Sequence, residues 1–299
     1  MERIRLTKDL SFSKLIHGHW RVLEWGMTPQ ELLNLTEQIL ELGIDTIDHA
    51  DIYGDYECEA FFGEALKLNP SLRQKLTIVS KCGIKLLSDK YPERKHKVYD
   101  YSYEHIVESA ENSLKNFGTD YLDVLLLHRP SPFFNPEEAA RAFSDLKTAG
   151  KVKHFGVSNF SAQQFETLNM FTEDPLVTNQ IEISPVCVEH FENNNIEYLQ
   201  MKEVAPMAWS PLGGGRIFNP TTEKEKSVSK LLNEMAEEMN TTVDVICFAW
   251  LLNHPAAIMP ILGTGKLSRI ETAFKANKLN LSLEEWLKIY ETSTGVELP

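Results

Sequence analysis

Thr46-Ile47-Asp48-His49-Ala50-Asp51-Ile52-Tyr53 is a short apolar run that stops at an acid and passes into an acidic, aromatic loop. Such a run suits a strand buried on both faces, ending where polar side chains are delivered to one edge of a sheet. Three other runs end in the same way: Ile78-Val79-Ser80 at Lys81, Leu125-Leu126-Leu127 at His128, and Phe155-Gly156-Val157 at Ser158. The pattern predicts that Asp48, Tyr53, Lys81 and His128 meet at one mouth.

Working outward from this stretch, a period repeats. Strands are expected at Leu15–His17, Thr46–Asp48, Leu76–Lys81, Leu122–Leu127, His154–Val157, Val177–Ile181, Pro206–Trp209 and Ala257–Ile261. Between them lie amphipathic stretches with helical spacing: Pro29–Leu42, Glu57–Leu68, Tyr103–Phe117, Pro136–Ala149, Ser161–Met170, Val188–Lys202, Lys226–Met239 and Val243–Leu252. Thr28 serves as an N-cap, and Gly43, Gly118 and Gly150 as helix stops. Two further helices, Arg269–Ala276 and Leu283–Tyr290, close the chain, and Arg3–Phe12 reads as a small hairpin over one end.

Eight strand–helix units in 299 residues define an α/β fold, a (β/α)8 TIM barrel forming a single domain over 1–299. An open dinucleotide-binding sheet would carry G-x-G-x-x-G after its first strand. Here that position reads His17-Gly18-His19-Trp20. The longest irregular stretch, Ile84–Asp100, is a candidate lid.

The formal net charge of −13 argues against general nucleic-acid binding, which needs a basic footprint. Cys58, Cys82, Cys187 and Cys247 form no C-x-x-C pair and read as reduced thiols of a cytoplasmic protein. No zinc site is expected from them. The first residues lack the apolar core of a signal peptide, and no run is long enough to span a bilayer.

Active residues of such a barrel sit at the C-terminal ends of its strands. Lys81 follows an apolar run, so its ammonium needs a buried partner, and Asp48 on the neighbouring strand is the natural one. A buried Lys near Tyr53 is expected to lower the phenol's pKa from about 10 towards working pH. His128 would hydrogen-bond a carbonyl oxygen in the same pocket. Any one of these is an ordinary strand-end residue; four on three adjacent strands point to acid–base chemistry.

The set resembles the aldo-keto reductase family, and the finer match is to the YdhF-like oxidoreductases of bacteria. The D-x-A-x-x-Y segment is Asp48, Ala50 and Tyr53, followed by Lys81 and His128. The G-V-S-N-F pattern is Gly156 to Phe160, the N-Q pair is Asn179-Gln180, and the S-P-L-x-x-G loop is Ser210 to Gly215. The resemblance implies reduction of an aldehyde or ketone by NADPH, with NADH the lesser alternative. Ser158, Asn159 and Gln180 would hold the nicotinamide carboxamide, and Trp209 would stack on its ring. Ser210, Pro211, Leu212, Gly213 and Gly215 would wrap the pyrophosphate. Gly263, Thr264, Gly265, Lys266 and Arg269 would take the 2′-phosphate. Four positions depart from the common family pattern: Gly263 stands where many members have Lys, Thr272 and Ala273 replace the usual Glu and Asn, and Trp209 stands where Tyr is more usual.

Trp20, Trp25 and His49 are expected to line an aromatic substrate pocket, with a small-molecule carbonyl compound as partner. Its specificity would come from Trp20–Met27, Ile84–Asp100, Arg129–Asn135 and the tail after Tyr290. Two other readings compete. His17-x-His19 with His128 has the look of a metal-hydrolase site, but Val157, Ile181 and Ile261 stand where further ligands belong. A nucleotide-sensing protein that binds NADP(H) with little turnover would carry the same cofactor motifs.

Overall fold

A computed structural model describes residues 3–299. Its eight barrel strands are Ile16–Gly18 (β1), Thr46–Asp48 (β2), Thr77–Cys82 (β3), Leu122–Leu127 (β4), Val152–Ser158 (β5), Asn179–Glu182 (β6), Met207–Trp209 (β7) and Met259–Leu262 (β8). Each pairs in parallel with the next, and β8 closes on β1 through Ile261 opposite Ile16. The chain is therefore a closed (β/α)8 barrel.

The helices are Pro29–Glu41 (α1), Cys58–Leu68 (α2), Tyr103–Phe117 (α3), Pro136–Thr148 (α4), Ala162–Asn169 (α5), Glu189–Glu192 (α6), Asn195–Met201 (α7), Glu223–Glu238 (α8), Val243–Leu252 (α9), Leu267–Lys275 (α10) and Leu283–Thr294 (α11). Local chemistry sets their ends. Thr28 and Glu31 form a reciprocal capping box ahead of α1. Ser102 caps α3, which stops at Gly118 in the left-handed conformation, φ 65°.

The helix expected over Val188–Lys202 is broken in two, with Asn194 at φ 62°. Three consecutive asparagines, Asn193 to Asn195, explain the break, since Asn is a weak helix former that tolerates left-handed backbone. The stretch Ile84–Asp100 carries a small antiparallel ribbon, Ile84–Lys85 with Val98–Tyr99. Arg269 does not open the helix after β8 but is its third residue.

The two-residue period of a strand sorts side chains between two cores. On β4, Leu125 and Leu127 face the helices, whereas Val124 and Leu126 face the barrel interior. On β3, Ile78 and Cys82 face outward and Val79 inward, so Lys81 also points inward. The antiparallel ribbon Arg3–Arg5 with Ser11–Ser13 covers the barrel's lower end. Its Phe12 is fully buried with Leu10 among Ile16, Val79, Val124 and Met259, forming the floor. Burying one such ring stabilises the fold by roughly 1.5–3 kcal/mol.

Candidate active site

At the strand C-termini a cavity of about 640 Å³ opens. Its wall includes Trp20, Asp48, Tyr53, His128, Ser158, Asn159, Gln180 and Trp209. Lys81 lies beneath them with 0% exposure. Its Nζ donates to both Asp48 oxygens at 2.8 and 2.9 Å, to the His49 carbonyl at 2.7 Å and to the Tyr53 hydroxyl oxygen at 3.1 Å. An ammonium has no lone pair, so the Tyr53 oxygen is the acceptor in that bond. The phenol's own proton is thereby left to point elsewhere.

Burial alone would lower the Lys81 pKa, but the Asp48 carboxylate and Tyr53 outweigh it and hold the ammonium above its ordinary value. Tyr53 departs from the sequence-based expectation. Burial pushes its phenol above 10, and Lys81 offsets this only in part while Asp48 adds to it. The side chain is a protonated phenol throughout the neutral range.

His128 meets Tyr53 edge to face, with ring centroids 5.8 Å apart. Burial, then the charges of Lys81, Arg129 and Lys97, push its pKa well below the ordinary imidazole value, so the ring is neutral. Its Nδ1 is buried without a hydrogen-bond partner. A lone pair is less costly than an N–H in that position, which favours the tautomer protonated on Nε2.

The amide residues form one network with Asp48 and Lys81. Gln180 Nε2 donates to Asp48 Oδ1 at 2.7 Å. Asn159 Nδ2 donates to Ser158 Oγ at 2.8 Å, and Trp209 Nε1 donates to Asn159 Oδ1 at 2.9 Å. Asn159 is held at φ 61° and Ser210 at φ 49°. Non-glycine residues adopt this backbone only at a cost, about 1–3 kcal/mol, and such residues cluster at functional sites.

Gly213, Gly214 and Gly215 also have positive φ. A Cβ on Gly214 or Gly215 would meet nothing within 4 Å, whereas one on Gly213 would strike Val186 at 2.4 Å. Gly214 and Gly215 therefore line the cavity, and Gly213 packs behind them. The sequence singled out Gly213 and passed over Gly214, because only backbone geometry distinguishes them.

Beyond β8, Gly263, Thr264 and Arg269 line the far end of the cavity. Gly265 and Lys266 do not: Gly265 backs onto the Trp25 ring, and Lys266 is the exposed N-cap of α10. Phe218, Asp244 and Phe248 line the same cavity. They carry no motif that would have singled them out in the sequence.

Two expected pocket residues lie elsewhere. His49 is fully buried and faces outward from β2, because it directly follows inward-facing Asp48. Trp25 stacks on His17 at 5.4 Å, also outside the barrel wall. His17 and His19 are likewise outside the cavity and bond to each other. Among the described residues, no group of three or more His, Cys, Asp or Glu is placed to hold a metal ion. The tail after Tyr290 continues α11 to Thr294 and packs on α8, away from the cavity. Arg21, Leu86, Lys97 and Arg129 from the other three loops do line it.

An (β/α)8 barrel with a Lys–Tyr–Asp cluster under amide donors has the form of an oxidoreductase site. The chain belongs to the aldo/keto reductase family, whose pattern it matches over residues 14–293. It is 45% identical to the uncharacterized oxidoreductase YcsN of Bacillus subtilis, over the full length of both chains. It is 43% identical to the oxidoreductase YdhF of Escherichia coli over 96% of each, and 41% identical to a 6-dehydroglucose reductase of Agrobacterium fabrum over 100% of each. A thermostable aldo-keto reductase crystallised with the inhibitor epalrestat superposes with a TM-score of 0.81 at 26% identity, covering 98% of this chain and 100% of that one. Among the described residues, no helix is long and apolar enough to cross a membrane.

Proposed function

We propose that the protein reduces an aldehyde or ketone to an alcohol with NADPH, Tyr53 acting as the general acid. The observation that carries this reading is the Lys81 ammonium, fully buried and bonded at once to Asp48 and to the Tyr53 oxygen. The residues suit the cofactor. Gln180 lines the cavity with its Nε2 fixed on Asp48. Its amide, beside Ser158 and Asn159, offers the mixed acceptor and donor set a carboxamide requires. The Gly213 and Gly215 N–H groups donate within the loop to the Ser210 and Leu212 carbonyls at 2.8 and 3.1 Å, and the bare glycine backbone at Gly214 and Gly215 lets a phosphate approach closely. Arg269 supplies a cation for a 2′-phosphate.

NADPH, when bound, supplies the hydride. The protein's part is to hold the carbonyl and complete the proton inventory. Neutral His128 donates from Nε2 to the carbonyl oxygen and orients it. Tyr53 delivers its proton to that oxygen as negative charge develops. Lys81, already bonded to the phenol oxygen, stabilises the phenolate left behind, and Asp48 with Gln180 keeps Lys81 in place.

The relatives in Agrobacterium fabrum and Novosphingobium aromaticivorans described as 6-dehydroglucose reductases make a sugar aldehyde the first substrate to try. Tyr53→Phe should reduce turnover by roughly 10²–10⁴-fold. NADPH affinity, followed by cofactor fluorescence, should be unchanged. Retained turnover would remove Tyr53 from its role, and tight NADPH binding with no turnover on any carbonyl compound would favour a sensor.

A further inference from the structure

Outside the barrel wall, three buried histidines form a continuous chain. His17 Nε2 lies 2.9 Å from the Thr264 carbonyl oxygen, His19 Nε2 lies 3.0 Å from His17 Nδ1, and His49 Nε2 lies 2.8 Å from His19 Nδ1. All three rings are fully buried. Trp25 stacks on His17 and Phe62 packs edge-on against His19. A carbonyl can only accept, so His17 Nε2 must carry a proton. Burial pushes the His17 pKa down to about 4 and drives those of His19 and His49 well below the ordinary value. With each ring neutral, every link then has one solution: His19 donates to His17, and His49 donates to His19. The remaining nitrogen, His49 Nδ1, has no partner. As a bare lone pair it is tolerable there, whereas an N–H would be costly.

The two ends of this chain are not arbitrary. Thr264 belongs to the turn lining the far end of the cavity, and neighbouring Gly265 rests on Trp25. The His49 carbonyl accepts from Lys81 Nζ at 2.7 Å. We propose that His17, His19 and His49 are positioning residues, a one-directional hydrogen-bond chain of three Nε2–H tautomers that couples the cavity-lining Gly263–Thr264 turn to the Lys81 ammonium. The coupling rests on the NADPH reading above; the tautomers do not.

The test uses protein labelled with ¹⁵N-histidine. Without cofactor, two-bond couplings should report Nε2–H for all three rings, and an Nδ1–H tautomer or an imidazolium at any of them overturns the chain. On adding NADPH, the His49 resonances should shift along with those of His17. His19→Phe should abolish the His49 response, weaken NADPH binding roughly tenfold, within the range of measured site-to-site couplings, and slow turnover. His19→Gln, whose amide offers one donor and one acceptor, should restore all three. A His49 ring unmoved while His17 responds, or a response that survives in His19→Phe, refutes the coupling. If NADPH moves no resonance and does not bind by fluorescence, the cofactor reading and the coupling fall together, while the cofactor-free spectrum still decides the tautomers.

Discussion

At the inner end of the cleft, Lys81, Asp48, Gln180, Asn159 and Trp209 belong to one hydrogen-bonded set carried on strand ends. At the outer end, Gly214, Gly263, Thr264 and Arg269 sit on loops or on the first turn of a helix, and Gly263 and Arg269 are exposed. The first end is built before any ligand arrives. The second offers backbone groups and a charge on a long, flexible stem. Under the proposed reading, chemistry that depends on sub-ångström placement is kept on rigid elements, and recognition of a long cofactor is left to adaptable ones.

The largest effect should come from breaking the rigid end. Lys81→Met removes the ammonium but leaves Asp48 buried, so it should lower turnover by roughly 10²–10⁴-fold. It should also cost about 3–5 kcal/mol of stability, the usual result of orphaning one half of a buried ion pair, measurable by denaturant unfolding. Among the described residues, Asp48 would then lose its only cation within bonding distance, and Gln180 alone would remain on it.

A second measurement sharpens the same end. With the Tyr53 pKa raised by burial, its acid form persists through neutral pH, so kcat/KM for carbonyl reduction should stay level and decline tenfold per unit only above about pH 10. An alkaline limb near pH 8 would mean that Lys81 outweighs burial at this phenol. The smallest effect belongs to the flexible end. Arg269→Ala should weaken NADPH roughly tenfold, leave NADH almost unchanged and spare turnover at saturating cofactor, as titration of both nucleotides would reveal.

The same contrast governs what could be read from the sequence. Strand ends were legible because an apolar run that stops at Asp48, Lys81 or His128 leaves few places for the polar group to go. Tyr103–Phe117 and Leu122–Leu127 came out with their observed limits because caps and apolar length agree there. His49 was misplaced for a reason of parity, and Trp25 because it sits on the short helical turn Val22–Trp25 and not at a strand end. Residues one apart on a strand face opposite sides, and a strand-end rule that ignores this puts half of them in the wrong compartment. Gly213 and Gly214 were exchanged because neighbouring glycines are indistinguishable until their φ and surroundings are known. The Tyr53 pKa was misjudged because its neighbours are visible in the sequence and its depth is not.

The ribbon that carries Phe12 into the barrel has a consequence for traffic. With its base plugged, the tube is a cul-de-sac: whatever settles beside the Lys81 ammonium came past the rim and must go back the same way.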